Sequence, residues 1–121
     1  TLARVAGELG GSYDTHLRDE SNYNIGLVAA IDEAIDIARQ ANIPVHISHI
    51  KALGVDVHGT APAIVARIAA ARAQGLAVTA NQYPWEASGT SLTASLMPLW
   101  ALDGGRTALL GRLGDPALSE R

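Results

Sequence analysis

Apolar residues recur along this chain with two alternating periods. The runs at residues 10–17 (GGSYDTHL), 44–51 (PVHISHIK) and 77–85 (AVTANQYPW) are bounded by Gly, Pro or polar residues and predict short strands. Between the first two, residues 25–41 carry Leu27, Ile31, Ile35 and Ala38 at helical spacing, with Asp32, Glu33, Asp36 and Arg39 elsewhere on the wheel. That pattern predicts an amphipathic helix. Residues 60–74 predict a second helix, with Thr60 as N-cap, Pro62 in the first turn and Gly75 as the stop. Residues 1–8 read as the end of an earlier helix. The order helix–β–α–β–α–β predicts parallel strands joined by right-handed crossovers.

The units repeat with a regular step. His16 and His49 are 33 residues apart, and His49 and Tyr83 are 34 apart. A 33-residue step is also that of ankyrin repeats, but VHISHIK and ANQYPW fit an ankyrin helix pair badly. After Trp85 the rhythm breaks. A polar stretch over residues 86–93 leads to the short apolar run 96–100, a Gly104-Gly105 turn and a predicted helix over 106–113, ended by Asp115-Pro116. We read residues 1–86 as β/α units and 87–121 as a helical excursion of the same domain, so that 1–121 forms one partial domain.

Composition narrows the class. A chain of 121 residues is less than half of a (β/α)₈ barrel, which needs roughly 200–250 residues. With 48% hydrophobic and 17% charged positions, long disorder is excluded. No apolar run reaches the ~18 residues of a membrane span, and no targeting signal is visible, so no membrane partner and a cytoplasmic setting are expected. The net charge of −3 argues against nucleic acid. The first residue is Thr1 rather than Met, which leads us to expect an internal piece of a longer protein. Among nine basic residues only Lys51 is lysine, which marks it as a candidate for a specific role.

Strand side chains alternate in direction. In residues 44–51, Val45, Ile47, His49 and Lys51 share one face, and His46, Ser48 and Ile50 the other. Placed in a barrel, Val45 and Ile47 are expected in interior layers and His49 and Lys51 at the C-terminal rim, where barrel enzymes keep their active sites. His46 is expected to face the helices. The same count groups Asp14, His16 and Arg18 on the first strand and Thr79, Asn81 and Tyr83 on the third. His16 and His49 are either two ligands of one divalent metal or rim residues bonded to their neighbours. Lys51 is either a clamp for a substrate carboxylate or a surface lysine. Arg18 either binds an anion through both arms of its guanidinium or pairs with Asp19 or Glu20. Tyr83 is either a hydrogen-bond donor to a carbonyl oxygen or a rim aromatic. Trp85 and Trp100 read as packing residues or pocket walls. No phosphate-binding loop and no nucleophilic-serine motif occurs.

Taken together, GGSYDTHLRDE at 10–20, HISHIK at 46–51, QYPW at 82–85 and ASGT at 87–90 resemble the N-acyl-D-amino-acid deacylases of the metal-dependent amidohydrolase superfamily. The likeness continues through residues 96–100, Gly104-Gly105 and Asp115-Pro116. It implies an α/β fold that is part of a (β/α)₈ TIM-type barrel, about three parallel β/α units plus a helical insertion. It also implies hydrolysis of the amide of a small N-acyl-D-amino acid at a site of one or two zinc ions in the complete enzyme. By the same resemblance His16 and His49 are metal ligands, Lys51 binds the substrate carboxylate, Tyr83 contacts the scissile carbonyl or the carboxylate, and Arg18 is a helper. Ile50 and Trp85 depart from the commoner residues of that family. The family's first-strand His-x-His pair, its metal-bridging residue and its general-base Asp have no counterpart here, so the ligand set is incomplete and the isolated chain is expected to be inactive. The alternative expectations are a cyclic-amide hydrolase of the same superfamily and a non-catalytic, self-associating α/β piece.

Overall fold

The computed structural model describes residues 2–119. The chain divides into two compact units, Thr1–Pro84 and Trp85–Arg121. In the first, helix α1 (Leu2–Glu8) precedes strand β1 (Tyr13–Thr15), helix α2 (Leu27–Ala41), strand β2 (Val45–Ile47), a single 3₁₀ turn (Val55–Val57), helix α3 (Ala61–Ala73) and strand β3 (Val78–Ala80). The strands form one parallel sheet in the order β1-β2-β3, as the alternation of elements predicts. Tyr13 pairs with Val45 and Val45 with Val78; the next row is Asp14, His46 and Thr79. Each strand is only three residues long, so the predicted strands overshoot at both ends.

Helix α2 follows its sequence pattern closely. Leu27, Ala30, Ile31, Ala34, Ile35 and Ala38 are buried. They join Ile43, Val45, Ile47, Val57, Ile64, Ile68, Ala71 and Val78 in one core. Asn42 ends the helix in the left-handed region at φ 50°, its N–H directed at the carbonyls of Ala38 and Arg39. Thr60 precedes α3 as expected, but its hydroxyl donates to the Val57 carbonyl at 2.7 Å rather than capping the helix. Arg67 joins α3 to Asp32 of α2 at 3.2 Å.

The facing expected for β2 is reversed. Val45 and Ile47 are buried in the core shared with α2 and α3, so their face lies under the helices. His46 is on the opposite face, where its Nδ1 is 2.8 Å from the Thr79 hydroxyl and Ser48 donates to Asp14 at 2.7 Å. Alternation identifies which residues share a face, but not which face is covered. Two apolar side chains follow the larger apolar surface, and here that surface is supplied by the helices.

The alternation also stops early. His49 has φ 41°, outside the extended region, so the count from Ile47 to His49 to Lys51 does not hold. The backbone around this turn is tied to the third strand end. Asn81 donates its N–H to the Ile47 carbonyl at 3.1 Å, accepts from the Ile50 N–H at 3.0 Å, and accepts the His49 N–H on its side-chain oxygen.

Among the described residues the second unit contains four short helices, α4 (Leu92–Leu96), α5 (Leu99–Leu102), α6 (Gly105–Leu113) and α7 (Pro116–Ser119). Ser91 caps α4 by accepting the Ala94 N–H at 3.1 Å, and Asp115 caps α7 by accepting the Ala117 N–H at 3.0 Å. Arg112 of α6 donates to the Ala101 carbonyl at 3.0 Å. Trp85 and Trp100 are exposed rather than packed.

Candidate metal-binding site

The chemistry-bearing groups gather just past the C-terminal ends of the strands of the first unit. His16 follows β1 directly, and His49 stands two residues beyond β2. Continuing the ladder register would set His16 opposite Ser48, one residue short of His49. The left-handed turn at His49 supplies the missing step. His16 Nδ1 and His49 Nε2 stand 3.1 Å apart, with ring centroids at 4.8 Å in an edge-on arrangement.

Behind His49 lies a denser cluster. Glu20 Oε1 is 3.3 Å from His49 Nδ1 and 3.9 Å from His16 Nδ1. Lys51 Nζ donates to Glu20 Oε1 and stands 2.9 Å from His49 Nδ1. The same ammonium is 5.7 Å from the centre of the Tyr83 ring, within cation–π range. Exposure is graded: the Glu20 and Lys51 side chains are 10% and 17% exposed, those of His49 and His16 37% and 66%. The structure thus brings His16, His49, Lys51 and Tyr83 together. The imidazoles form its open edge, and the ion pair lies beneath.

Arg18 is placed elsewhere. Its Nε donates to Glu33 Oε2 at 2.9 Å and its Nη2 lies 2.9 Å from Glu33 Oε1, a two-armed grip on helix α2. Hydrogen bonding and charge from Glu33 raise the guanidinium pKa above its ordinary value. The neighbouring acids are not free to take it. Asp19 is buried and accepts backbone N–H groups of Ser21 at 2.8 Å, Asn24 at 2.7 Å and Gly26 at 2.9 Å. Burial by itself pushes the Asp19 carboxyl up, but backbone hydrogen bonds from Ser21, Asn24, Gly26 and Tyr23 outweigh it and hold the carboxyl below its ordinary value. Asp19 thereby shapes the loop from β1 to α2, and Gly26, at φ 87°, makes the turn into the helix.

Glu20 is the residue whose place at the site the sequence did not disclose, whereas Asn81 falls in the group with Tyr83 that strand spacing gives. In the sequence Glu20 reads only as a partner for Arg18, and its link to Lys51 spans 31 residues. The one local signal is its i,i+4 spacing from His16.

The donor set suits a divalent metal. One nitrogen from each imidazole and a carboxylate oxygen of Glu20 lie within 4.8 Å of one another. Two nitrogens held at Zn–N distances of 2.0–2.1 Å in tetrahedral geometry stand about 3.3 Å apart. The two imidazole nitrogens, at 3.1 Å, are close to that separation. Zinc takes three or four protein ligands, and His16, Glu20 and His49 offer three donors.

No family model matches the chain. It is 36% identical over 120 residues to the D-aminoacylase of Alcaligenes xylosoxydans xylosoxydans, covering 99% of this chain and 23% of that protein. It is 34% identical over 91 residues to the N-acyl-D-glutamate deacylase of the same organism, covering 75% of this chain and 18% of that protein. The chain therefore spans about a quarter or less of the length of the curated relatives it matches. Among solved structures, a D-aminoacylase crystal structure described as defining a novel subset of amidohydrolases superposes with a TM-score of 0.61 at 36% identity, over 68% of this chain and 16% of that one. The N-acyl-D-glutamate deacylase of Bordetella bronchiseptica, complexed with zinc and a phosphonate mimic of the tetrahedral intermediate, superposes with a TM-score of 0.64 at 34% identity, over 69% of this chain and 17% of that one.

Proposed function

The chain belongs to the N-acyl-D-amino-acid deacylase family of metal-dependent amidohydrolases, and from that premise we propose that it contributes two zinc ligands and a substrate clamp to the hydrolysis of N-acyl-D-amino acids. The observation that carries this reading is the 3.1 Å approach of His16 Nδ1 and His49 Nε2 at adjacent strand ends. Zinc bound there supplies Lewis-acid polarisation of an amide carbonyl.

The remaining roles follow from what surrounds that pair. Lys51 Nζ has three donors, and its contacts with Glu20 and His49 leave capacity for a substrate carboxylate. The Tyr83 ring centre is 5.7 Å from that ammonium, and the role assigned to its phenol is to donate to a carbonyl oxygen. Arg18, held by Glu33, supports the wall between β1 and α2 rather than the substrate.

Two measurements test the proposal. Calorimetric titration of the chain with zinc should show one site that is lost in both His16→Ala and His49→Ala; unchanged binding in either variant contradicts the ligand assignment. In a protein that carries this chain within a sequence as long as its relatives, N-acyl-D-amino acids should be hydrolysed in preference to cyclic imides. The opposite preference would replace the substrate assignment.

A further inference from the structure

We infer that Asn81 is a positioning residue: its side chain accepts a backbone N–H that the β2–β3 ladder leaves over, and so holds His49 in a bulge that brings its ring to His16. The ladder shows where the break occurs. Ile47 pairs with Ala80, which sets Ser48 opposite Asn81. In a regular parallel ladder Asn81 would donate its N–H to the Ile47 carbonyl and accept on its own carbonyl from His49. The first bond is made, at 3.1 Å. The second comes from Ile50 instead, one residue late, at 3.0 Å. Ser48 and His49 therefore share the place opposite Asn81, a one-residue bulge.

That bulge carries two costs. It leaves the His49 N–H without its ladder acceptor, and it puts a non-glycine residue at φ 41°. Asn81 offsets both. Its Oδ1 accepts the stranded His49 N–H, while its main chain grips Ile47 and Ile50 on either side of the turn. Without that oxygen the regular ladder becomes the better alternative, because His49 could then donate to the Asn81 carbonyl. An extended His49 would point to the side of Ile47, which the helices cover. Bulged, its Nε2 stands 3.1 Å from His16 Nδ1. The value of this placement for hydrolysis rests on the proposed role of the two histidines as zinc ligands.

The test reads the turn and the ring separately from the metal. Nuclear Overhauser spectra of the zinc-free chain should show a strong cross-peak between the His49 amide and Cα protons, the mark of a positive φ, and a second between the two imidazole rings. Asn81→Ala should lose both, and its zinc affinity should fall about 10–100-fold. Asn81 is exposed, so this truncation leaves the core of Ile47 and Val78 in place. Asn81→Leu, which has similar bulk and no acceptor, serves if the alanine variant fails to fold. Asn81→Asp keeps the accepting oxygen and should retain both cross-peaks without loss of zinc affinity. Cross-peaks that persist in Asn81→Ala, or that vanish equally in Asn81→Asp, would overturn the inference. If the chain binds no zinc while the His49 turn still follows position 81, the ligand assignment fails and the positioning of His49 by Asn81 stands.

Discussion

The two ends of the β2 segment are built on opposite terms. Val45 and Ile47 are sealed under α2 and α3 in an apolar core, whereas His49 and Lys51, two and four residues later, stand in a polar cluster with half-open edges. Stability is concentrated in the first region and chemistry in the second. The loop organised by Asp19 lies between them, as it carries the chain from the end of β1 into α2. Substitutions should therefore separate into those that unfold the unit and those that silence it.

The sharpest way to break that division is through the core. Ile31 of α2 is fully buried, and Ile31→Ala should cost about 2–5 kcal/mol in denaturant unfolding. Next comes Asp19→Ala, which leaves buried N–H groups of the loop without their charged acceptor and should cost about 1.5–3 kcal/mol. This contribution depends on pH. The folded pKa lies below the unfolded value near 3.9, so the stabilisation is complete above that value and is lost as pH falls through the folded pKa. The difference in unfolding midpoint between wild type and Asp19→Ala should accordingly shrink in acid and stay constant from neutral pH upward.

At the rim the ranking inverts. His16 is 66% exposed, so His16→Ala should move stability by no more than about 0.5 kcal/mol while removing zinc binding. A large loss of stability there would mean that the rim belongs to the folding core after all. A small effect on stability alone is expected at Thr60, which makes no capping bond to α3 and only donates to the Val57 carbonyl; Thr60→Ala should cost about 0.5 kcal/mol, the low end for a lost hydrogen bond.

Elements that depend on local pattern were legible in the sequence. Leu27, Ile31, Ile35 and Ala38 declared α2 through their spacing, and all four are buried. The alternation of β and α elements announced a parallel sheet, and it is parallel. What depends on distant partners was not legible. Arg18 was read against its neighbours Asp19 and Glu20, but Asp19 is turned onto backbone N–H groups and Glu20 onto Lys51, which leaves Glu33 on α2 as the acid within reach. His16 and His49 do meet, but through a turn that strand alternation cannot foresee. Shared faces could be counted from residue spacing, whereas the covered face was decided by where the helices pack.

That turn has a consequence for what can occupy position 49. At φ 41° a side chain with a Cβ is strained, and Gly would relieve the backbone at no steric cost. A histidine held there by Asn81 works against its own backbone, which is how conformational energy comes to be stored at functional positions. Selection for foldability alone would drift toward glycine at this site. A demand for the ring itself would hold an imidazole in a conformation that glycine enters freely.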